Sequence, residues 1–266
     1  MPSRLRGLIP AMFACEYKFF PRKGISSEGF LQDFWSFVGA LGRGGQTMNE
    51  DSIIQSGSLI RYVCICPEKD SLNVRNHSTY AQKSYKKLLK ASARKPQIKM
   101  LGKIVEGPLA CKCRVRPFLV LFTNFLDHSS PIICGKCRQP VPLYHLPRLE
   151  SGNYRDYLAW QENYRSCDSL FMLSGVGEKF GYDQISELKS ELTKFGRTIG
   201  ASLEKKTGVP VYYYLHRYYG TSPKAESKRR CPGCGSRWAE QESKTFQMRC
   251  DKCKLLSTPA QDFLQS

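Results

Sequence analysis

The sequence predicts an α+β body followed by a small C-terminal module that is organised by cysteines. Short apolar runs that suit strands alternate along the chain with longer segments of helical spacing. Close to the C-terminus, two C-x-x-C pairs are separated by fifteen residues. The 266 residues include 41% hydrophobic and 12% aromatic types, which is enough for a packed core and excludes a disordered basic tail.

The first half of the body is predicted to contain four strands and two helices. The strands are expected over residues 11–20, 58–66, 97–106 and 116–125, where short apolar runs occur. The first helix, residues 26–41, has Ser27 as its expected N-cap and is apolar at Phe30, Leu31, Phe34, Trp35, Val38 and Leu41. The second helix, residues 78–95, is expected to end at Pro96.

The second half is predicted to be mainly helical. Helices are expected over residues 153–167 and 183–208, the longer one closed by Gly208 and Pro210, and a strand follows over 209–220. Segment 220–230 is polar and contains Pro and Gly, which predicts a domain boundary near residue 222. The expected organisation is a loose tail or miscalled start over 1–11, an α+β domain with an internal cysteine cluster over 12–222, and a separate module over 223–266.

The spacing of the last four cysteines, Cys231, Cys234, Cys250 and Cys253, matches that of structural zinc sites. Four thiolates would close a tetrahedral shell around Zn²⁺ and leave no position for substrate, so the site should hold structure rather than catalyse. Gly233 and Gly235 flank Cys234, where such turns need a positive φ or a close approach to sulfur. Disulfides or unrelated free thiols are the alternatives. A module of roughly forty residues is too short for a stable core without its metal, so the fold class becomes an α+β body with a C-terminal zinc-ribbon module.

A second cysteine cluster lies inside the body, with the spacing C-x-C-x₂₀-C-x₂-C at Cys111, Cys113, Cys134 and Cys137. It is a candidate second zinc site, so the chain would hold one or two Zn²⁺ ions. The pair in CGKC also resembles a redox motif, but that motif needs a following helix, and RQPVP cannot continue one. Cys64 and Cys66 face the same side of a strand and are either core thiols or substitute ligands.

The twelve cysteines of this chain fit a reducing compartment better than a disulfide scaffold. The apolar run from Leu8 to Ala14 is short and contains Pro10, which argues against an export signal even though Ala14-Cys15 resembles a lipoprotein cleavage site. No apolar run approaches the roughly 18–20 residues of a membrane span. A cytoplasmic protein is expected.

The charge balance points to a polyanionic partner. The chain has 41 Lys and Arg against 23 Asp and Glu, a net charge of +18. Such a surplus suits nucleic acid, and less well an anionic membrane surface or an acidic protein. Basic proteins without such a partner also exist, and this alternative stays open.

Two basic surfaces are predicted. In the second helix, five cations fall within an arc of about 100° and no acid is interleaved with them, which suits a phosphate-facing or a simply solvated surface; they are Lys83, Lys86, Lys87, Lys90 and Arg94. Ala81, Tyr85, Leu88 and Leu89 would lie on the buried side of this helix. The zinc module offers a second set for phosphate contacts, Arg229, Arg230, Arg237 and Arg249, with Lys244, Lys252 and Lys254 beside them.

Aromatic residues accompany these cations. Trp238 is expected to pack on the zinc module or stack on a base, and the tyrosines around His216 and Arg217 suit either base stacking or the core.

The chain resembles a bacterial family of unknown function that is described as zinc-ribbon-containing and nucleic-acid-binding. The resemblance runs from about Met12 to the end and rests on an ordered set of motifs: FLVLFTNF, CGKCRQPVPLYHLP, GVPVYYYLHRYYG, CPGCGSRW and FQMRCDKCKLLS. PVPLYHLP is the most specific of them. The resemblance implies a zinc ribbon on the last four cysteines and an intracellular protein, and it carries no established activity.

Enzyme functions find little support in the sequence. It contains no P-loop, no dinucleotide-binding glycine motif and no zinc-deaminase signature, and His77, His128, His145 and His216 are scattered. The sequence therefore favours a non-catalytic, basic, zinc-ribbon protein that binds nucleic acid, with RNA slightly ahead of DNA. The alternative is a protein-interaction role, such as an intracellular immunity protein that blocks a toxin.

Overall fold

A computed structural model describes residues 12–48, 51–104, 109–149, 153–240 and 246–262. The predicted tail over residues 1–11, and Lys244, lie outside the described residues. The fold is mixed α and β with two sheets, and it divides into two compact units. Among the described residues, no helix is both long and apolar enough to cross a bilayer.

The first unit contains a four-stranded antiparallel sheet and two helices. Its strands are β1 (Phe13–Phe19), β2 (Asp51–Ser56), β3 (Leu59–Cys66) and β4 (Gln97–Lys103), in the order β2-β3-β1-β4. Helices α1 (Ser27–Arg43) and α2 (Thr79–Ala91) bury their apolar faces in one core with Tyr17, Phe19 and Tyr62 of the sheet. Strand β2 was not predicted, because its residues are largely exposed and its sequence lacks an apolar face.

Helix α1 follows the predicted spacing with two corrections. Its N-cap is Ser26 rather than Ser27, and the Ser26 hydroxyl accepts a hydrogen bond from Gly29 N. Phe37 is fully buried, whereas Trp35 is 56% exposed. The apolar stripe therefore lies slightly to one side of the predicted one, and Trp35 borders it.

Helix α2 ends four residues earlier than predicted. Ser92 Oγ donates to Leu88 O at 2.6 Å, and Ala93 N donates to Phe20 O at 2.7 Å, so the chain leaves the helix to pair with the segment after β1. Arg94 consequently lies outside the helix, and its guanidinium stacks 3.7 Å from the Phe20 ring centroid. The prediction that Arg94 belongs to the helical basic face is wrong.

The second unit contains a six-stranded sheet in the order β6-β5-β7-β10-β9-β8. Its strands are β5 (Leu119–Leu121), β6 (Ile132–Cys134), β7 (Val211–Tyr214), β8 (Ala239–Glu240), β9 (Met248–Cys250) and β10 (Leu255–Ser257). Its helices are α3 (Arg155–Leu173), α4 (Glu178–Ser186), α5 (Glu191–Thr207) and α6 (Pro223–Lys228). Strands β5, β7 and β10 run parallel to one another, and the other pairs are antiparallel.

Strands on the two sides of the predicted boundary near residue 222 pair in one sheet. Strand β10 pairs directly with β7, and residues 223–262 belong to the same compact unit as β5 and β7. Parallel neighbours require a long crossover connection. Residues 223–254, called the cysteine module below, supply that crossover between β7 and β10.

The helix predicted over residues 183–208 is divided into α4 and α5. Glu187 is extended, with ψ 132°, and ends α4. Ser190 then caps α5 by accepting from Thr193 N at 3.1 Å. Gly208 closes α5 in the left-handed conformation, φ 68°, as predicted.

Replacing Leu88 with Ala should destabilise the first unit by about 2–5 kcal/mol, because Leu88 is 0% exposed and packs in its core. Tyr80→Ala, on the same helix but 62% exposed, should change the free energy of unfolding little. Urea unfolding followed by circular dichroism measures both. Equal effects of the two substitutions would contradict the assignment of the buried face of α2.

Candidate metal centres and nucleic-acid interface

The last four cysteines converge on one point in the structure. The Sγ atoms of Cys231, Cys234, Cys250 and Cys253 all lie within 4.8 Å of one another, and Cys234 Sγ is 3.6 Å from Cys250 Sγ. Four thiolates around Zn²⁺ at about 2.3 Å would have sulfur–sulfur separations of this size. The arrangement can therefore hold a metal ion, as the spacing predicted.

Two glycines shape the first half of this centre. Gly235 adopts φ 69° and donates its N–H to Cys231 O at 2.9 Å, which closes the turn around Cys234. A Cβ on Gly233 would lie 2.7 Å from Cys253 Sγ, so only glycine allows this approach to the sulfur. Both roles predicted for these glycines are confirmed.

The thiols of this centre differ in acidity. Hydrogen bonds from the Ser236 side chain and backbone lower the pKa of Cys234 to about 6. Burial raises the pKa of Cys253 to about 12. A bound cation would favour the thiolate form at all four positions, because metal coordination displaces the thiol proton.

The second cysteine cluster also converges. Sγ atoms of Cys111, Cys113, Cys134 and Cys137 lie within 4.8 Å of one another, so this set too can hold a metal ion. Cys134 ends β6, and the turn that carries Cys137 continues into Arg138, which has a positive φ of 59°. The C-terminal centre repeats this pattern, since Cys250 ends β9 and Lys254, with φ 52°, follows Cys253. In each group, the C-x-x-C pair nearer the C-terminus is therefore a turn at the end of a strand.

The remaining strand cysteines lie in the core. Cys64 and Cys66 are 1% and 0% exposed, and their Sγ atoms are 3.9 Å apart on the inner face of β3. Neither belongs to a group that could hold a metal ion among the described residues. Their placement fits the interpretation as core thiols.

The basic face of α2 is exposed as predicted. Lys83, Lys86, Lys87 and Lys90 are all exposed, while Ala81, Tyr85 and Leu88 are buried. Lys87 Nζ lies 3.4 Å from Asp33 Oδ1 of α1, which partly neutralises it. Within the described part of the chain, the other three lysines have no ion-pair partner, so this face keeps a surplus of positive charge.

Two of the four arginines predicted in the C-terminal module make contacts within the fold. Arg229 pairs with Glu226 at 3.1 Å and donates to Thr258 O at 2.7 Å, with only 16% of its side chain exposed. Arg249 pairs with Asp251 at 2.5 Å, and its guanidinium lies 4.9 Å from the Tyr212 ring centroid. These contacts make Arg229 less available to a phosphate than predicted, and they leave Arg249 partly exposed.

The other two arginines lie on an open groove. Arg230 and Arg237 are exposed and line a groove of about 1120 Å³ together with Lys228 and the half-buried Trp238. Trp238 Nε1 has no hydrogen-bond partner among the described residues. The groove also contains two carboxylates, Glu226 and Glu240; Glu226 is paired with Arg217 at 2.6 Å and with Arg229.

The tyrosines of β7 do not reach solvent. All four residues of the strand are buried, so Tyr212, Tyr213 and Tyr214 offer no exposed ring on which a base could stack at the surface. Tyr219, beyond the strand, is 45% exposed and donates to Glu178 Oε1 at 2.8 Å. The alternation of buried and exposed residues expected for this strand is absent, because a central strand is covered on both faces.

The histidines are not gathered into one site. His77 packs between the rings of Phe37 and Tyr85, and His145 Nε2 lies 3.1 Å from Glu68 Oε2. Both contacts fit structural roles.

Three families match the sequence, each described only as a domain of unknown function: DUF8589 over residues 12–102, DUF2310 over 113–216 and DUF8594 over 220–263. An uncharacterised protein of Haemophilus influenzae is 35% identical over 202 residues, which span 75% of this chain and 77% of that protein. A second uncharacterised protein of the same organism is 40% identical over 147 residues, 54% of this chain and 72% of that protein.

Solved structures resemble only about a third of the chain. An antibiotic biosynthesis monooxygenase is 7% identical with a TM-score of 0.30, over 35% of this chain and 99% of that one. A protein of Mycobacterium tuberculosis is 13% identical with a TM-score of 0.28, over 36% of this chain and 97% of that one. Likenesses of this strength support no inference about activity.

Freshly purified, reduced protein should contain about two equivalents of metal per chain, one for each four-cysteine group. Cys234→Ser and Cys137→Ser should each remove one equivalent, because a thiolate ligand is lost. Cys167→Ser, outside both groups, is the control and should keep both equivalents. Elemental analysis measures the metal content of each variant. Less than half an equivalent of metal per chain in the unaltered protein would refute both centres.

Loss of the C-terminal centre should also destabilise the pairing of β7 with β10 in the six-stranded sheet. Tyr213 N donates to Lys254 O and Leu215 N donates to Leu256 O, both at 2.9 Å, so these amides depend on β10. In Cys234→Ser, hydrogen exchange should accelerate at Tyr213 and Leu215 and stay unchanged at Tyr62 of the first unit. Unaltered protection of Tyr213 and Leu215 would show that the cysteine module unfolds independently.

Proposed function

This chain belongs to the same bacterial family as the uncharacterised Haemophilus influenzae proteins, and we propose that it is a non-catalytic, zinc-containing protein of the cytoplasm that binds nucleic acid. Single-stranded RNA is the favoured ligand. The observation that carries the proposal is the groove of Lys228, Arg230, Arg237 and Trp238.

Positive charge and a flat aromatic side chain occur together in this groove. Proteins that bind single strands combine a cationic groove for the phosphates with aromatic rings on which bases stack. Trp238 is half-buried, its indole N–H is unpartnered among the described residues, and Arg230 and Arg237 are exposed. The lining has four cations against two carboxylates, and one of these, Glu226, is already paired with two arginines.

The lysine face of α2 is a second candidate surface. Lys83, Lys86 and Lys90 are exposed and unpaired within the described part of the chain. The exposed Tyr80 lies one helical turn before Lys83, so this face supports phosphate contacts of either DNA or RNA with a single aromatic ring beside them. We rank it second to the groove because Lys87 is paired with Asp33 and the lysines lie on an exposed helix surface rather than in a groove.

Zinc is the metal that we propose for both cysteine groups. Thiolates are soft ligands, and a tetrahedral set of four sulfurs suits Zn²⁺. Such a site leaves no open coordination position, which supports a structural role and a non-catalytic protein.

Replacing Arg230 and Arg237 with Gln should weaken binding of single-stranded RNA similarly for all sequences. It should also make the dependence of log K on log salt shallower by about 1.4, since each phosphate contact contributes about 0.7. Trp238→Ala should cost roughly 1–3 kcal/mol of binding through lost stacking and leave the salt slope unchanged. Fluorescence anisotropy at several salt concentrations measures the RNA affinity and the salt slope of each variant.

The matched control removes two exposed cations elsewhere in the same unit. Lys205→Gln with Lys206→Gln, at the end of α5, should leave affinity and slope nearly unchanged. A shallower slope only in Lys83→Gln with Lys86→Gln would move the interface to α2. No measurable affinity for RNA or DNA at physiological salt would reject the proposal and favour an acidic protein partner.

A further inference from the structure

A cleft opens at the carboxyl ends of the three parallel strands. The segments that leave β5, β7 and β10 contribute Thr123, His216 and Thr258, among others, to a cleft of about 340 Å³. Helix α3 forms its remaining side with Tyr164, Asp168 and Met172. In open sheets, ligands bind in the crevice beyond the carboxyl ends of parallel strands, and this cleft has the size of a small-molecule site.

The walls of the cleft are aromatic. Phe122 and Tyr214 pack edge to face with ring centroids 5.0 Å apart, and they line the cleft with Phe125 and Tyr164. Little of Tyr214 or Tyr164 is accessible, since they are 4% and 2% exposed. An aromatic lining of this kind suits a flat ring as ligand.

Asp168 supplies the one carboxyl group of the lining. Its side chain is 6% exposed, and the hydrogen bond that it accepts among the described residues comes from Phe125 N at 2.8 Å. The lining contains no Lys or Arg, and burial raises the pKa of the carboxyl group. A buried carboxyl group without a cation needs further hydrogen-bond donors. An amino group on a ring is such a donor, as when Asp or Glu accepts a hydrogen bond from cytosine N4.

The other polar groups of the lining are uncharged. Burial lowers the pKa of His216 to about 4, and its Nε2 has no hydrogen-bond partner among the described residues. Asn124 uses its Oδ1 to accept from Leu126 N at 2.9 Å, which leaves its amide N–H groups as donors. Tyr214 and Thr258 hydroxyls lie 3.3 Å apart. A phosphate or carboxylate would find no counter-charge here.

We propose that this cleft binds an uncharged, planar nitrogen heterocycle of nucleobase size that carries an amino group. The heterocycle enters either as a free nucleoside or as an unstacked base of a bound strand, since both present the same ring. The inference does not depend on the groove at Arg230 and Arg237, and the two proposals can fail separately.

The test measures binding of cytidine, guanosine, adenosine and uridine, and of short single-stranded oligoribonucleotides, by calorimetry or NMR titration. Asp168→Asn keeps an oxygen for Phe125 N but loses an acceptor. It should weaken binding of at least one amino-bearing nucleoside or oligonucleotide by roughly 5- to 150-fold, the value of one base contact, and leave uridine unaffected. Glu162→Gln removes a carboxylate from the exposed side of the same helix and should change nothing.

A second variant covers the case in which Asp168→Asn does not fold. Met172 lines the cleft and is 46% exposed, so Met172→Trp should fill the cleft without disturbing the core and abolish the same binding. Arg230→Gln with Arg237→Gln should leave free-nucleoside affinity unchanged, which separates this site from the groove.

Three results would overturn the proposal. The first is no saturable binding of any nucleoside or oligonucleotide at about 1 mM. The second is binding that Asp168→Asn and Met172→Trp leave intact. The third is saturable binding of tetramethylammonium alone, which would identify the cleft as a cation cage of aromatic rings and a carboxylate.

Discussion

Two backbone hydrogen bonds, from Tyr213 N to Lys254 O and from Leu215 N to Leu256 O, join the cysteine module to the main sheet. The position of the cysteine module in the second unit depends on this parallel pairing. It fixes where the C-terminal metal centre lies relative to β7, and it brings the ends of β5, β7 and β10 to one edge. Parallel neighbours cannot be joined by a tight turn. The chain meets that constraint with a crossover that brings four cysteines together.

Buried pairing decides which cations of this very basic chain can serve a partner. Glu226 is 4% exposed and engages both Arg217 and Arg229, and the second arginine also ties α6 to the end of β10 through Thr258 O. Arg249 is held by aromatic rings and by Asp251, whose side chain is 62% exposed. Of these pairs, the buried ones of Glu226 are costly to break. Fewer free cations are therefore available to a partner than the net charge of +18 implies.

The two cysteine groups contain the same kind of turn, each at the end of a different strand of the six-stranded sheet. In each, a C-x-x-C pair begins on the last residue of a strand and is followed by a residue of positive φ, Arg138 in one and Lys254 in the other. A side chain in this conformation is strained, and closure around a metal offers a compensation. The sequences CGKCR and CDKCK thus encode equivalent turns.

Local features follow from the sequence alone: the cysteine spacings, the glycine that admits Cys253 Sγ, the helical phase of α2 with Leu88 inside, and the left-handed end of α5 at Gly208. These depend on residues close together in the chain, where bond geometry and periodicity suffice. The other features arise from packing between distant segments. Arg94 leaves its helix because Ala93 pairs with Phe20, and Arg229 is buried because Glu226 and Thr258 surround it. The cleft around Asp168 joins residues more than one hundred positions apart. Strand order and side-chain pairing across such separations follow from the packing of the whole unit, which no local pattern records.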